Sequence, residues 1–306
     1  MYGRNPSALL SLLGALAVAV PAVAQQVADP DFDVRVDDPA YANAGPRILF
    51  DNAHFNFHTS TGRYQPFVDL VTSDGYLATP NADAFSEPTL RDYDILVIAN
   101  AQDSAGHDVS AFSRDEVSAV ERWVREGGAL LLIADHQPWG AAAAPLARRF
   151  GVDMGSVFTI DSIGYYRELG HHFGQAGMGI LTFVEPGGLG CDHPILNGRN
   201  DEEKVRRIIT FAGQSLGAPP EAVVLLRLAD TATDIHRTGE MSSAAGRAQG
   251  VAVRFGKGRV VVLGEAAMLT AQLVGPERMK IGMNTPGFDN RQFALNVMHW
   301  LSGLLT

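Results

Sequence analysis

The chain has 306 residues, of which 46% are hydrophobic and 19% are charged, and its formal net charge is −10. This apolar content and low charge exclude an intrinsically disordered chain, and a lone cysteine, Cys191, excludes a scaffold held by internal disulfides. Because 34 acidic residues outnumber 24 basic ones, phosphate would repel the chain, and we expect no nucleic-acid partner.

The N-terminal segment has the features of an export signal. Arg4 precedes an apolar run over residues 8–20, and Ala22 and Ala24 stand at the −3 and −1 positions of a signal-peptidase site. We therefore predict a signal peptide over residues 1–24 and a periplasmic or secreted mature protein. The run is too short to span a bilayer comfortably, and no later run reaches about 18 residues, so we expect no membrane span in the mature chain. An uncleaved N-terminal anchor is the alternative.

The remaining chain divides into a polar N-terminal arm, residues 25–45, and one α/β domain, residues 46–306. Apolar runs over 47–50, 95–99 and 129–134 read as buried strands, with helical spacing between them. Alternating strands and helices predict a flavodoxin-like, doubly wound and mostly parallel sheet with helices on both faces. Residues 152–200 are rich in glycine and break this alternation, which indicates an irregular β-rich insertion.

The clearest helix signal is the capping box formed by Ser113 and Glu116, from which a helix runs to Gly127. Further along the chain, residues 250–255 and 259–263 read as a hairpin around a Gly-Lys-Gly turn.

Two other helices carry terminal signals. Residues 141–150 read as a helix in which either Pro145 occupies the first turn, where a proline is tolerated, or the helix is shorter than this range. Residues 289–304 read as a terminal amphipathic helix that opens on a second capping box, formed by Asp289 and Gln292.

Polar side chains collect where the predicted strands end. Ligands of open α/β sheets bind beyond the carboxyl ends of the strands, so we expect these side chains to line one crevice. The ligand-binding candidates are Asp51, His54, Asn56, His58, Asn100, His136 and Trp139. Trp139 could stack on a sugar ring or pack as a lid on the following helix.

Several chemistries are open to this set. Asp135 and Glu265 are the candidates for acid–base catalysis, if burial raises one pKa; Asp51 and Asp135 could instead simply cap the helices that follow their strands. No cofactor is required, but His54, His58 and His136 could hold a divalent metal, with structural loop histidines as the alternative.

The nucleophile elbow of the α/β hydrolases is missing, because Asp135 stands where its serine or cysteine would be.

Three stretches carry a resemblance to a known family: 48–56, 93–100 and 126–136. Together they resemble the class I glutamine amidotransferase-like superfamily, and more narrowly its exported bacterial proteins of unknown function. The segments that begin Asp192-His193-Pro194-Ile195 and Asp289-Asn290-Arg291 fit as well, so the resemblance covers most of residues 46–303.

The resemblance implies a flavodoxin-like sandwich and does not imply amidotransferase activity. The nucleophilic cysteine of that family belongs at the strand–helix turn, where this chain has Asp135. The late His-x-Glu pair is missing too, because Gly264 and Ala266 flank Glu265 without a histidine. The catalytic triad is therefore absent.

Two functions follow as hypotheses. The first is an exported domain that binds a small polar ligand, such as a sugar or a cell-wall fragment, at the strand ends. The second is a hydrolase, with or without a metal, in which Asp135 or Glu265 activates water. A weaker third reading is a structural partner of envelope proteins, which would predict a large exposed apolar patch.

Overall fold

The computed structural model describes residues 26–104, 109–190 and 192–306. The predicted signal peptide, the first residue of the predicted arm and Cys191 lie outside these residues. The described chain has an α/β fold. Its strands are β1 (Gln26–Ala28), β2 (Arg47–Asp51), β3 (Leu77–Asn81), β4 (Ile95–Ala99), β5 (Ala129–Ile133), β6 (Val157–Ile160), β7 (Ile180–Val184), β8 (Arg207–Phe211), β9 (Val223–Arg227), β10 (Thr233–His236), β11 (Met241–Ser243), β12 (Ala248–Phe255), β13 (Gly258–Leu263), β14 (Ala271–Val274) and β15 (Met279–Gly282).

The helices connect or follow these strands. The α-helices are α1 (Gln65–Ser73), α2 (Glu87–Leu90), α3 (Arg114–Glu126), α4 (Trp139–Ala147), α5 (Arg167–Gly170), α6 (Pro194–Asn197) and α7 (Asn290–Leu301). Short 3₁₀ turns cover Arg148–Phe150, His171–Gly179, Asp201–Glu203 and Ala267–Leu269. Within the described residues, no helix combines the length and the apolar character that crossing a bilayer requires.

The main sheet has seven strands in the order β3-β2-β4-β5-β13-β12-β9. The first five strands in this order are parallel to one another. Strand β12 pairs antiparallel with β13, and β9 pairs antiparallel with β12. The expected α/β class is confirmed, but the sheet is mixed, and smaller sheets of β1-β14-β15, β11-β10-β6 and β7-β8 accompany it. The predicted hairpin is also confirmed, because β12 and β13 pair from Gly250 with Leu263 to Phe255 with Gly258.

The apolar runs of β4 and β5 are explained by burial on both faces. One face of the main sheet packs against Leu70 of α1 and Val297 of α7, and the opposite face against Val120 of α3 and Leu146 of α4. Every residue of β4 and β5 is buried. Full burial of a leucine such as Leu131 contributes roughly 1.5–3 kcal/mol, so neither strand has a polar face.

Helix α3 begins as its sequence predicts. The Ser113 hydroxyl accepts the backbone N–H of Glu116 at 3.3 Å, and Glu116 Oε2 accepts the backbone N–H of Ser113 at 2.9 Å. The helix ends at Gly127, whose φ of +132° is unfavourable for any residue with a Cβ.

Two helix predictions are wrong in detail. Helix α4 begins at Trp139, ahead of the expected start, so Pro145 lies inside the helix rather than in its first turn. At the start of α7, Asp289 forms no side-chain cap, because its Oδ2 accepts the backbone N–H groups of Arg206 and Arg207 at 2.7 and 2.9 Å. Gln292 donates instead to Asn296, so the second capping box does not form.

The segments flanking this core pair outside the main sheet. Within 152–200, β6 pairs with β10 and β7 with β8, both antiparallel. In the arm, β1 pairs with β14, and the backbone N–H of Ala40 donates to the buried Asp74 carboxylate at 2.7 Å. The domain boundaries drawn from the sequence stay a prediction.

Candidate functional site

Asp135 and Glu265 meet at the carboxyl ends of β5 and β13. These strands pair in parallel up to Ile133 and Leu263, and each acidic residue follows two positions later. The Asp135 side chain retains slight exposure, with 9% of the residue accessible, whereas Glu265 is fully buried. Two carboxyl groups on distant parts of the sequence therefore become neighbours because their strands are neighbours.

Burial controls the protonation of this pair. Desolvation and the negative charge of Asp135 raise the pKa of Glu265 well above its ordinary value, although its oxygens accept the backbone N–H groups of Ala267 and Met268 at 2.7 and 2.8 Å. Desolvation also raises the pKa of Asp135, against the opposing effects of the His136 charge and of hydrogen bonds. Such groups can hold a proton at a pH where an exposed carboxyl group has lost it.

Asn100 holds Asp135 in place from the end of β4. Its Nδ2 donates to Asp135 Oδ2 at 2.9 Å, and its Oδ1 accepts the backbone N–H of Asp135 at 2.9 Å. Asn100 has a φ of +49°, a backbone region that asparagine tolerates better than most residues. Its role here is to position Asp135, and it does not line the cavity described below.

Asp51, His54 and Asn56 form a separate buried network. Asp51, fully buried at the end of β2, lies 2.8 Å from His54 Nδ1 and accepts Nδ2 of Asn56 at 3.0 Å. The other ring nitrogen of His54, Nε2, lies 2.7 Å from Oε1 of Glu116. The sequence indicated Glu116 only as a helix cap, yet it also binds His54.

This arrangement makes His54 a bridge between two carboxylates. Burial alone would lower the pKa of His54, but the hydrogen bonds and charges of Asp51 and Glu116 outweigh burial and raise it. The pKa of Glu116 is lowered to about 2 despite its burial, because His54 and the backbone N–H groups of Ser113 and Phe85 donate to it. Since both His54 ring nitrogens contact carboxylates, neither is open to a metal or to a ligand in this structure.

A cavity of about 280 Å³ lies beside Asp135. This is close to the lower end of the range for small-molecule sites, roughly 300–1,000 Å³. Its lining residues are Gln26, Phe57, His58, Asp135, His136, Trp139, Phe173, Ala176, Ile180, Phe211, Ala212, Ala267, Gln272 and Ile281. Of the predicted site residues, the cavity gathers His58, Asp135, His136 and Trp139. Glu265 lies behind it, and Asp51, His54, Asn56 and Asn100 are not part of its wall.

One wall of the cavity is aromatic. The rings of Phe57 and Trp139 lie 5.0 Å apart and tilted by 42°, and the ring of His136 lies 5.5 Å from that of Trp139. Arg63, which does not line the cavity, places its guanidinium carbon 4.4 Å from the centre of the Phe57 ring. Such a wall offers flat apolar faces to a ligand.

Three residues of the wall carry a buried polar atom that no hydrogen bond satisfies among the described residues. These atoms are His58 Nδ1, Trp139 Nε1 and Gln272 Oε1. Burial, with a smaller effect of the Arg63 charge, lowers the pKa of His58 to about 3, so this ring is neutral. An unsatisfied buried polar atom destabilises the fold by about 1–3 kcal/mol, and a ligand that supplies the partner would remove that cost.

Within the described residues, the three histidines considered as metal ligands do not come together with other ligating side chains in a group of three. Over residues 26–104, 109–190 and 192–306, no group of three His, Cys, Asp or Glu side chains is arranged to hold a metal ion. His54 is engaged as above, His136 Nδ1 lies 2.8 Å from the carbonyl oxygen of Gln137, and His58 packs against Tyr64 at 5.1 Å. The predicted metal candidates therefore contribute singly to their surroundings.

Sequence reasoning missed most of the cavity wall. Phe173 and Ala176 come from the glycine-rich segment, Phe211 ends β8, and Gln272 lies in β14. None of them directly follows a strand of the parallel part of the sheet, which is the position from which the sequence predicts site residues. The glycine-rich composition of residues 152–200 predicts a departure from the regular fold. It does not predict which part of the domain this segment packs against.

The chain matches no protein-family model and no curated protein. Its fold is similar to that of the mmIFT52 N-terminal domain, with 13% identity, 84% of this chain and 97% of that chain covered, and a TM-score of 0.58. A ThuA-like protein from Bacteroides uniformis (13% identity, 89% and 95% covered) and a cytoplasmic protein from Salmonella typhimurium LT2 (14% identity, 84% and 98% covered) each give a TM-score of 0.45. At these identities the likeness concerns the fold alone.

Proposed function

We propose that this protein binds a sugar, or a sugar-containing fragment of the cell wall, in the cavity beside Asp135. The observation that carries the proposal is the combination of an aromatic wall with a carboxylate inside one small cavity. The C–H faces of a sugar ring pack on aromatic rings, and its hydroxyls need hydrogen-bond acceptors. Trp139 and Phe57 offer the first feature, and Asp135 and Gln272 offer the second.

The pre-organised position of Asp135 supports a binding role. Asn100 and the backbone N–H of Ala266 each donate to one of its carboxylate oxygens, at 2.9 and 2.7 Å. These bonds fix the side chain before a ligand arrives, which reduces the entropy that binding must overcome. They also leave lone pairs on both oxygens free to accept a ligand hydroxyl.

The place of action is part of the same proposal. The export signal expected over residues 1–24 puts the mature protein in the periplasm or outside the cell, where wall fragments and sugars occur. We assign the domain to the flavodoxin-like, doubly wound folds of the glutamine amidotransferase-like superfamily, without amidotransferase chemistry. Five parallel strands with helices on both faces support that assignment.

A hydrolase is the second candidate, and one observation favours it. Burial raises the pKa of Asp135, a cavity residue, and burial together with the charge of Asp135 raises that of Glu265. A carboxyl group poised in this way can donate a proton to a leaving group, or take one from water, near neutral pH. As a hydrolase, the protein would use Asp135 to contact the substrate, and Glu265 would influence the protonation of Asp135.

Titration of the purified protein with monosaccharides and with a digest of peptidoglycan tests the proposal. Binding by the wild type, weakened in Trp139→Ala and unchanged in Phe55→Ala, is the expected result. Phe55 is the matched control, because it is an exposed aromatic of the same loop as Phe57 that does not line the cavity. Conversion of a bound sugar over time, lost in Asp135→Asn, would identify the hydrolase instead. Absence of binding by every sugar would overturn both.

A further inference from the structure

The charge of the cavity bears on the class of sugar, and this argument rests on the proposed function. Among the described residues that line it, Asp135 is the one acidic side chain, and lysine and arginine are absent from that set. Glu265 adds a second carboxyl group behind the wall, with its own hydrogen bonds to Ala267 and Met268. Arg63 lies against Phe57 without lining the cavity. An anionic ligand would therefore meet a carboxylate and, among the described lining residues, no lysine or arginine.

The aromatic rings favour the opposite charge. A cation held over the face of a tryptophan or phenylalanine is attracted by the negative face of the ring. Trp139, Phe57, Phe173 and Phe211 all belong to the wall. The same rings that would pack on a sugar can thus stabilise a positive group attached to it.

The free polar atoms of the wall include acceptors. Gln272 Oε1 is a buried acceptor without a partner among the described residues. The Nδ1 atom of His136 lies 2.8 Å from the carbonyl oxygen of Gln137, which can only accept, so this nitrogen carries a hydrogen and is already engaged. Gln272 Oε1 and the carboxylate of Asp135 suit a ligand group that donates several hydrogen bonds at once, as an ammonium group does.

We infer that the sugar bound in this cavity is an amino sugar, whose protonated amine pairs with Asp135 against the aromatic wall. Neutral hexoses have a hydroxyl where this ligand has the ammonium group, and acidic sugars bring a charge that Asp135 repels. The pairing also stabilises the ionised form of Asp135, so affinity rises with pH until the amine itself loses its proton.

The test compares D-glucosamine with D-glucose and D-glucuronic acid by calorimetric titration of the purified protein at neutral pH. We expect glucosamine to bind about tenfold or more tightly than glucose, the ratio that corresponds to roughly 1.4 kcal/mol, and glucuronic acid to bind most weakly. The preference for glucosamine should disappear in Asp135→Asn and persist in Asp153→Asn, which removes an exposed carboxylate outside the cavity.

The outcomes separate the two proposals. Equal or tighter binding of glucose overturns the amino-sugar inference and leaves sugar binding intact. A glucosamine preference that survives in folded Asp135→Asn also overturns it, because a group other than Asp135 then recognises the charged amine. Failure of all three monosaccharides to bind overturns the amino-sugar inference, and titration with the peptidoglycan digest then decides the proposed function. The comparison within the wild type needs no variant, so misfolding of Asp135→Asn, visible in its circular dichroism, does not prevent a decision.

Discussion

Asp135 and Glu265 stand side by side at the ends of two neighbouring parallel strands, each two residues beyond the paired Ile133 and Leu263. The backbone N–H of Ala266 donates to Asp135 Oδ1 at 2.7 Å, which ties the segment after Glu265 to the neighbouring carboxylate. Burial and the charge of Asp135 raise the pKa of Glu265 well above its ordinary value. The folded state therefore favours the protonated form of Glu265.

Ionisation of Glu265 should weaken the fold as the pH rises. Because its folded-state pKa is raised, its contribution to stability is complete below the unfolded value of 4.5 and is lost as the pH rises through the folded value. Glu265→Gln cannot ionise, so its free energy of unfolding should fall less between about pH 5 and about pH 8 than that of the wild type. Near pH 5 the variant should be about 1–3 kcal/mol less stable, because an amide cannot accept both backbone N–H groups.

Urea unfolding at the two pH values measures this difference in slope. Asp153→Asn is the control, because the Asp153 side chain is 71% exposed and should leave the wild-type slope unchanged. An equal decrease in the free energy of unfolding of the wild type and of Glu265→Gln would show that Glu265 does not titrate in this range.

The His54–Glu116 ion pair should stabilise the fold most at mildly acidic pH. The pKa of Glu116 is lowered to about 2, so its contribution is present above the unfolded value of 4.5 and is lost as the pH falls toward 2. The pKa of His54 is raised, so its contribution is complete below 6.5 and is lost as the pH rises through the folded value. Glu116→Ala should cost about 2–4 kcal/mol, since it removes a helix cap and one partner of a buried pair.

Denaturant unfolding near pH 3, pH 5.5 and pH 9 tests the expected maximum, and the wild type and Glu116→Ala should differ most at the middle value. Glu121→Ala gives the matched comparison, since it removes a partly exposed helical glutamate paired with Arg125. That loss should stay within about 1 kcal/mol. A Glu116→Ala effect independent of pH would mean that His54 carries no charge in the fold.

The predictable part of this site is the part that local sequence determines. The continuous apolar runs of β4 and β5 predict strands that are covered on both faces. The positions of Asp135 and Glu265, just after β5 and β13, predict that both side chains lie at the carboxyl edge of the sheet. The sequence grouped His54 with Asp135 for the same reason. Both follow a parallel strand, but the loop after β2 turns the His54 ring toward α3, where Glu116 holds it.

The unpredictable part depends on contacts between distant segments. Glu116 satisfies its capping box completely, so nothing in the sequence indicates that its Oε1 also reaches His54. Phe173 reaches the cavity from the 3₁₀ turn His171–Gly179, and Gln272 reaches it from β14, which pairs outside the main sheet. No periodicity of the sequence links either residue to Asp135. A distant partner also explains why Asp289 does not cap its helix, because its carboxylate accepts the backbone N–H of Arg206, just before β8.

His58 should remain uncharged in mildly acidic solution. Burial lowers its pKa to about 3, so the neutral ring stabilises the fold fully above the unfolded value of 6.5, and this contribution is lost as the pH falls toward 3. A shift of this size corresponds to a few kcal/mol of pH-dependent stability, about 1.4 kcal/mol for each pKa unit. His58→Phe should therefore lose less stability than the wild type on acidification.

The ¹⁵N chemical shifts of the imidazole rings report the protonation state directly. Near pH 5 the His58 ring should show the spectrum of a neutral tautomer. The exposed His171 provides an internal comparison in the same spectrum. A protonated His58 at this pH would mean that the ring is not buried as described, and the acid-stability expectation would fail with it.

Removal of the Trp139 ring should separate ligand binding from folding. The side chain is half-buried and packs beside Phe57 and His136 in the same wall of the cavity, so truncation to alanine takes away one face for a ligand. We expect Trp139→Ala to weaken amino-sugar binding about 10- to 100-fold, the effect of losing an aromatic anchor worth roughly 1.5–3 kcal/mol. Trp139→Phe, which keeps a ring but removes the unpartnered Nε1, should lose less. Titration calorimetry gives the affinities, and thermal unfolding checks that each variant is folded. Equal affinities for the wild type, Trp139→Ala and Phe55→Ala would place the ligand away from this wall.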